Sequence, residues 1–225
     1  MPKLPRVVRV LSLLALLLAL VGYFGPWVTH KAPALVLTGQ DMAEFVKFLS
    51  EVRSGELQVM RELFYLPLVA GALGLVFAAA NRRWRYPWPL RWLLAVLAVP
   101  VALSMLPPAW TPQLLLTPEF RLQAAAIAFC LVVVVLHPLL LRLPPALLEA
   151  TTLLLALAAA VVPVWQFLRV RPAVDAVYGR TVTLGWGLWL MPLGFGLVVI
   201  ALLLSVLGCQ KLRWRGTMGS ARMEG

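Results

Sequence analysis

The sequence predicts an all-α polytopic membrane protein, a bundle of six transmembrane helices with one amphipathic helix on the exterior side. Hydrophobic residues make up 62% of the 225 residues and charged residues only 13%. This composition leaves too few polar side chains to cover a water-soluble globule. All nine tryptophans lie at or just beyond the edges of six long apolar runs. An indole ring with one N–H donor suits the headgroup region of a bilayer, so the tryptophans indicate where the runs meet the membrane surfaces.

The apolar runs are long enough for transmembrane helices, because about 20 apolar residues cross a hydrocarbon layer roughly 30 Å thick. They are continuous rather than alternating, which excludes a β-barrel. Together with their connectors they occupy nearly all of the chain, so we expect a single membrane domain over residues 1–225. The predicted spans are 8–28, 61–81, 90–107, 119–141, 145–168 and 184–208.

Proline and glycine mark several span boundaries. Gly25-Pro26-Trp27 predicts the end of the first span, since proline has no N–H with which to continue a helix. Thr117-Pro118-Glu119 is typical of a helix start, with threonine as N-cap and glutamate near the positive end of the helix dipole. The short turn 142–145 predicts that the fourth and fifth spans form an antiparallel hairpin, and the fifth is expected to end before an outer loop over 169–183.

The charge distribution predicts the orientation. If the N-terminus is cytoplasmic, the inner segments carry twelve basic and two acidic residues, and the outer segments carry eight basic and seven acidic residues. The net charges are therefore +10 inside and +1 outside, as the positive-inside rule expects. This asymmetry favours anionic lipid headgroups over nucleic acid as the partner of the basic residues. Both termini, including a basic tail over 209–225, are predicted to be cytoplasmic.

The first span admits two interpretations. Its basic start, its apolar run and the small residues of Ala32-Pro33-Ala34 are compatible with a cleaved secretory signal. A retained anchor is favoured, because the small-residue site lies well beyond the end of the run and has proline in its middle position. Cys130 and Cys209 are predicted at different depths, so we expect packing roles rather than a disulfide.

Residues 39–53 predict the exterior amphipathic helix. Thr38 and Asp41 fit a variant capping box in which aspartate replaces glutamate. Apolar residues at helical spacing form one face of this helix. The simplest interpretation is a helix that rests on the leaflet or covers the bundle; the alternative is a face on which a partner docks, or a lid. That candidate docking face comprises Met42, Phe45, Val46, Leu49 and Val52.

Two further groups of residues are candidate sites. His137, Arg142 and Glu149 are predicted to meet where the fourth and fifth spans are joined, and an acidic residue in a span is a functional candidate unless it is paired. They either hold the hairpin together or take part in proton or substrate coupling. Around the glycine-rich start of the sixth span, a possible exterior pocket is predicted from the following residues: Tyr178, Arg180, Trp186 and Trp189.

The sequence gives no indication of catalysis, a metal or a cofactor. His30 and His137, the only histidines, are predicted on opposite sides of the membrane, which argues against a histidine pair for a metal. No phosphate-binding loop or nucleophile elbow motif is present. Ser104 and Ser205 have no predicted base at their depth, as an intramembrane hydrolase requires. We therefore predict no enzymatic activity.

Short motifs resemble those of uncharacterised bacterial polytopic inner-membrane proteins. These motifs are a first span that ends at Pro26-Trp27, the sequence Thr38-Gly39-Gln40-Asp41, and a last span that opens with Gly185-Trp186-Gly187. The resemblance implies a bacterial cytoplasmic membrane location and no particular activity. We expect a non-catalytic membrane subunit or accessory protein whose partners are the lipid bilayer and another membrane protein or a second copy. The alternative is a transporter component for a small or lipophilic solute, built around Glu149 and the sixth span.

Overall fold

A computed structural model describes the backbone of residues 3–107 and 109–221, and the side chains of residues 7–33, 35–107 and 109–205. The chain is mostly helical, as predicted. Six long helices connect the two ends of the molecule, and short helices and strands lie between them. The helices are α1 (Lys3–Phe24), α2 (Gly39–Phe45), α3 (Ser50–Arg53), α4 (Leu66–Ala80), α5 (Trp88–Leu103), α6 (Pro112–Leu115), α7 (Arg121–Val135), α8 (His137–Leu140), α9 (Pro145–Tyr178) and α10 (Trp186–Ala221).

Among the described residues, four helical segments are long and apolar enough to cross a membrane: Val7–Phe24, Arg61–Ala80, Pro145–Tyr178 and Trp186–Ser205. The helices at the third and fourth predicted spans are shorter, with 16 residues in α5 and 15 in α7. At about 1.5 Å per residue they reach only about 24 and 22 Å. The prediction of six full-length spans is therefore not confirmed.

The two short helices end at recognisable signals. Helix α5 ends at Leu103, where the hydroxyl of Ser104 donates to the carbonyl of Val101 at 2.7 Å, whereas the predicted span continued to residue 107. Helix α7 ends at Val135, because Pro138 disfavours a helical conformation at the preceding His137. The predicted helix start at Thr117 is wrong: its hydroxyl donates to the carbonyl of Leu114 at 2.7 Å, and α7 begins only at Arg121.

Two helices extend beyond their predicted ends. Helix α9 continues for ten residues past 168, through Pro172, because Val170, Ala173 and Val174 are buried and give its last turns an apolar face. It ends at Gly179, whose φ of 64° is the left-handed conformation that glycine adopts most easily. The predicted loop 169–183 is thus largely helical. Helix α10 continues to Ala221, so most of the predicted tail 209–225 is helical, and residues 222–225 lie outside the described residues.

Helix α4 is the central helix of the bundle, and it packs against α1, α5, α7 and α9. Helices α1 and α10 form the closest pair, and glycine makes this approach possible. A methyl group on Gly194 would lie 2.6 Å from Cα of Ala19, and one on Gly22 would lie 2.7 Å from the carbonyl carbon of Leu190. Small residues at a helix interface allow such backbone contact.

The two ends of the bundle differ in structure. At one end lie the links 81–87 and 136–144, which we call the basic end. At the other, which we call the cap end, residues 26–60 form a cap over the helices. The cap contains a small antiparallel sheet in the order β2-β1-β3, which the all-α prediction missed. Its strands are β1 (Pro26–Thr29), β2 (Leu37–Thr38) and β3 (Thr183–Leu184).

The predicted exterior helix 39–53 is divided into three pieces. Helix α2 covers Gly39–Phe45, a single 3-10 turn covers Val46–Phe48, and α3 covers Ser50–Arg53. The break is at Leu49, whose ψ of 134° is extended and whose side chain points into the core. The capping box is confirmed: the hydroxyl of Thr38 accepts a hydrogen bond from the Asp41 amide at 3.3 Å, and the Asp41 carboxylate accepts one from the Thr38 amide at 2.9 Å.

Candidate functional site

The predicted polar cluster at the basic end exists with different members. Glu149, in the first turns of α9, is only 3% exposed. Its carboxylate accepts hydrogen bonds from the Arg83 guanidinium at 2.9 Å and from the side-chain amide of Asn81 at 3.1 Å. A buried carboxylate needs such partners, because burial without them is costly. The pairing of Glu149 with the link 81–87 holds α9 to the end of α4.

Arg142 and His137 take no part in that cluster, so the prediction that they pair with Glu149 is wrong. Arg142 is exposed in the link between α8 and α9. His137 is buried, and its ring lies edge-on to Trp92 with 5.7 Å between the ring centroids. The sequence placed all three residues near one turn, but the partner of Glu149 comes from a link 66 residues earlier in the chain.

Other contacts at the basic end also join separate segments. The guanidinium of Arg9 in α1 donates to the carbonyl of Trp84 at 2.9 Å, and the hydroxyl of Tyr86 donates to the carbonyl of Arg9 at 3.1 Å. Arg9 also lies over the ring of Tyr86, 5.3 Å from its centroid, in a cation–π arrangement. Burial raises the pKa of Tyr86, so its hydroxyl remains a donor at neutral pH. These contacts favour a structural role for the basic end.

The predicted docking face on residues 39–53 is not a free surface. Met42, Val46 and Leu49 are at most 1% exposed, and Phe45 and Val52 are half-buried. The buried three belong to the core of the cap, which includes Trp27, Phe64 and Phe167. Their prediction as a docking face is wrong, because the stripe faces the bundle. The large apolar side chain that the cap does expose is that of Phe48, at 69%.

The four residues of the predicted exterior pocket do not line one cavity. Tyr178 donates its hydroxyl to the carbonyl of Leu35 at 2.7 Å, which ties the end of α9 to the cap. Trp186 covers Gly25, where a methyl group would lie 2.5 Å from the indole ring. Trp186 and Trp189 are both more than half exposed, and Arg180 is exposed as well. This prediction is wrong: the residues make separate contacts or face outward.

Four charged residues at the cap end form a cluster that sequence analysis missed, which we call the cap clamp: Glu44, Lys47, Arg61 and Glu119. Lys47 lies 2.7 Å from Glu44 and 3.1 Å from Glu119, and Arg61 lies 3.2 Å from Glu44. Arg61 also donates to the backbone carbonyl of Glu119. The spacing of Glu44 and Lys47 on one helix was recognisable, but their partners are distant in the chain.

The electrostatics of the cap clamp favour a fixed geometry. Partial burial lowers the pKa of Lys47, but its hydrogen bonds to Glu44 and Glu119 outweigh that effect and raise the pKa above its usual value. The Arg61 guanidinium lies 4.7 Å from the ring centroid of Phe120. Several charges in one network hold their geometry better than an isolated surface pair. The clamp therefore fixes α2 to the start of α7.

Neutral hydrogen bonds support the clamp from below. The side-chain amide of Gln40 donates to the carbonyl of Ser104 at 2.8 Å, and that of Gln123 donates to the carbonyl of Met105. The hydroxyl of Tyr65 lies 3.3 Å from the Glu44 carboxylate. Because these bonds link the cap to the ends of α5 and α7, the cap and the bundle are connected at several points.

A cleft of about 480 Å³ opens between the cap and α9 at the cap end. The side-chain amide of Gln166 donates to the carbonyl of Met60 at 2.8 Å and so fixes the chain segment that forms one wall. Arg169 lies over the ring of Trp165, 4.8 Å from its centroid. The cleft is lined by Val52, Gly55, Leu57, Gln58, Val59, Met60, Leu63, Trp165, Gln166 and Arg169.

Comparisons of the chain with protein-family models, curated proteins and solved structures give no match. Within the residues that the structure describes, no group of three or more histidine, cysteine, aspartate or glutamate side chains is arranged to hold a metal ion. The arguments for function therefore depend on the cap, the cap clamp, the cleft and the two ends of the bundle.

Proposed function

We propose that the six long helices cross a bacterial cytoplasmic membrane, with the basic end in the cytoplasm and the cap outside. The four long apolar helical segments support membrane insertion. Exposed tryptophans lie at both ends, Trp88 near the basic end and Trp165, Trp186 and Trp189 near the cap end. The net charges of the two sides, +10 and +1, support the orientation. Local thinning of the bilayer around α5 and α7 would accommodate their shorter length.

Cysteine labelling tests this orientation. Cysteine is introduced at Ser54 in the cap or at Arg82 in the basic link, both exposed, in a background with Cys130 and Cys209 replaced by alanine. We expect a membrane-impermeant maleimide to label Ser54→Cys in intact spheroplasts and Arg82→Cys only after the membrane is opened. The reverse pattern would place the cap in the cytoplasm, and labelling of both sites in intact spheroplasts would exclude the proposed topology.

We propose further that the protein is a non-catalytic membrane accessory protein that binds a partner protein through its cap. The observation that carries this proposal is the exposure of Phe48 next to the cap clamp, with its ring 5.4 Å from the Lys47 ammonium. An exposed aromatic side chain on a fixed support is a suitable anchor, since little conformational freedom is lost when it binds. The docking surface is thus moved from the buried stripe to Phe48.

The alternative, a transporter component, depends on residues that have structural roles in this fold. Glu149 is paired with Arg83 and Asn81, and Gly194 contacts α1. Among the described residues, six polar side chains are buried, and five of them lie near the ends of the long helices: Asn81, Gln123, His137, Glu149 and Gln166. The sixth is Ser12, whose hydroxyl donates to the carbonyl of Val8 within its own helix at 2.8 Å. The accessory role is therefore the better-supported proposal.

Site-specific photo-crosslinking in cells tests the partner proposal. A photoreactive phenylalanine analogue replaces Phe48, and in the matched control it replaces Phe129, which is 57% exposed on α7. We expect a discrete protein adduct at position 48 and none at position 129, with Phe48→Ala abolishing co-purification of the adduct partner. An adduct near twice 24.8 kDa would identify a second copy as the partner. Equal adducts at both positions, or none at position 48, would contradict the proposal.

A further inference from the structure

We propose that the cleft between the cap and α9 binds one anionic phospholipid from the leaflet at the cap end. This inference depends on the proposed membrane insertion but not on a protein partner. The cleft has the volume of a typical small-ligand site, about 480 Å³. It lies at the edge of the bundle, where Trp165 and Met60 are each more than half exposed. The depth, the charge and the apolar walls of the cleft together identify its occupant.

The position of the cleft along α9 matches the level of lipid headgroups. Trp165 follows Pro145, the first residue of α9, by 20 residues, which corresponds to about 30 Å of helix. That length equals the thickness of the hydrocarbon core. With Pro145 at the cytoplasmic surface, Trp165 lies at the opposite surface and Arg169 lies one helical turn farther out. The guanidinium of Arg169 is therefore placed at the depth of phosphate groups.

The polar chemistry of the cleft fits a phosphate. Arg169 is the one charged residue in its lining, and no carboxylate of the described residues forms an ion pair with it. The contact of Arg169 with the Trp165 ring, 4.8 Å to the centroid, orients the guanidinium. Gln58 and Gln166 also line the cleft and carry amide groups for hydrogen bonds to a headgroup. Planar guanidinium groups bind phosphate oxygens in a bidentate manner.

The apolar walls of the cleft fit an acyl chain rather than a free anion. Val59, Met60 and Leu63 lie on the cap side and Trp165 on the helix side. Leu168 and Val161, on the same helix as Trp165, are 50% and 61% exposed. A soluble phosphate would use only Arg169 and the amides, whereas a phospholipid would also cover these apolar side chains. The near-neutral net charge of the cap end, +1, gives little general attraction for anionic lipid, so binding there would be site-specific.

Native mass spectrometry of the full-length protein in mild detergent tests the lipid site. Phosphatidylglycerol and phosphatidylcholine are titrated against the wild type, Arg169→Gln, and the control Arg180→Gln, whose arginine is exposed at the same end but outside the cleft. We expect one phosphatidylglycerol bound in preference to phosphatidylcholine. Arg169→Gln should weaken this binding about five-fold, the effect of roughly one basic residue near an anionic surface, and Arg180→Gln should leave it unchanged.

Further arms separate the possible outcomes. Met60→Glu places a negative charge on the apolar wall and should weaken phosphatidylglycerol binding even with Arg169 intact. Unchanged thermal unfolding of each variant shows that loss of binding is not loss of the fold. Equal binding of the two lipids, equal effects of the two arginine variants, or binding of inorganic phosphate as tight as that of the lipid would each overturn the proposal. The cysteine-labelling and Phe48 experiments do not depend on this site, so failure of the lipid proposal is distinguishable from failure of the proposed function.

Discussion

Replacing Gly194 with alanine is expected to lower the free energy of unfolding by about 3 kcal/mol, although alanine is the better helix former. The added methyl group would lie 2.6 Å from Cα of Ala19 and 2.8 Å from the carbonyl oxygen of Ala15. These are backbone atoms of α1, so no side-chain rotation relieves the overlap and the two helices must separate. Overpacking of a well-packed interior costs roughly 1–3 kcal/mol, and the upper part of this range applies to backbone overlap.

Gly196→Ala is the matched control for this prediction. Gly196 lies two residues farther along α10, and a methyl group there has no atom within 4 Å. Alanine should be neutral at this position, or should stabilise the helix by up to about 1 kcal/mol, because of its higher helix propensity. Both variants are measured by circular dichroism during denaturation in mixed detergent micelles. Equal stability of the two variants would contradict the close packing of α1 against α10.

Arg83→Ala is expected to destabilise the protein by about 2 kcal/mol. The variant leaves the Glu149 carboxylate, which is 3% exposed, with the amide of Asn81 as its remaining partner. Removal of one partner of a buried ion pair costs about 3–5 kcal/mol, and the value is lower here because 41% of the Arg83 side chain is exposed. The same denaturation measurement applies, and Glu149→Gln in the Arg83→Ala background should recover part of the loss.

Arg82→Ala is the control for Arg83. Arg82 is the neighbouring exposed arginine, and its replacement should change stability by no more than about 0.5 kcal/mol. In the wild-type background, Glu149→Gln should leave partner binding and phosphatidylglycerol binding intact, since the carboxylate is assigned a structural role. Loss of either binding activity in a folded Glu149→Gln protein would show that Glu149 has a direct function.

The capping box and the helical class follow from short-range chemistry, and this explains why sequence analysis found them. Thr38 and Asp41 are three residues apart, and their reciprocal hydrogen bonds depend only on local backbone geometry. The central helix α4 likewise follows from one continuous apolar run. Such features need no knowledge of the partners that tertiary structure brings near.

The errors arise where the long-range partner decides. The stripe of Met42, Val46 and Leu49 has the pattern of an amphipathic surface helix, and periodicity alone does not distinguish a face that meets lipid or a partner from one that packs on the same chain. Burial of Leu49 also explains why the helix breaks there. Glu149 was assigned to the nearest cations in the sequence, but Arg83 reaches it only because α4 and α9 are packed together.

The 34-residue helix α9 has a consequence for how the two sides of the membrane communicate. Its length of about 51 Å exceeds the hydrocarbon thickness by about 20 Å, and the excess lies within the cap, where Val174 is buried. One continuous helix thus carries both a residue of the cap core and, near its start, the carboxylate that is paired with the basic link. A tilt imposed on the cap by a bound molecule would therefore displace the cytoplasmic end of the same helix, without any rearrangement of the helices between them.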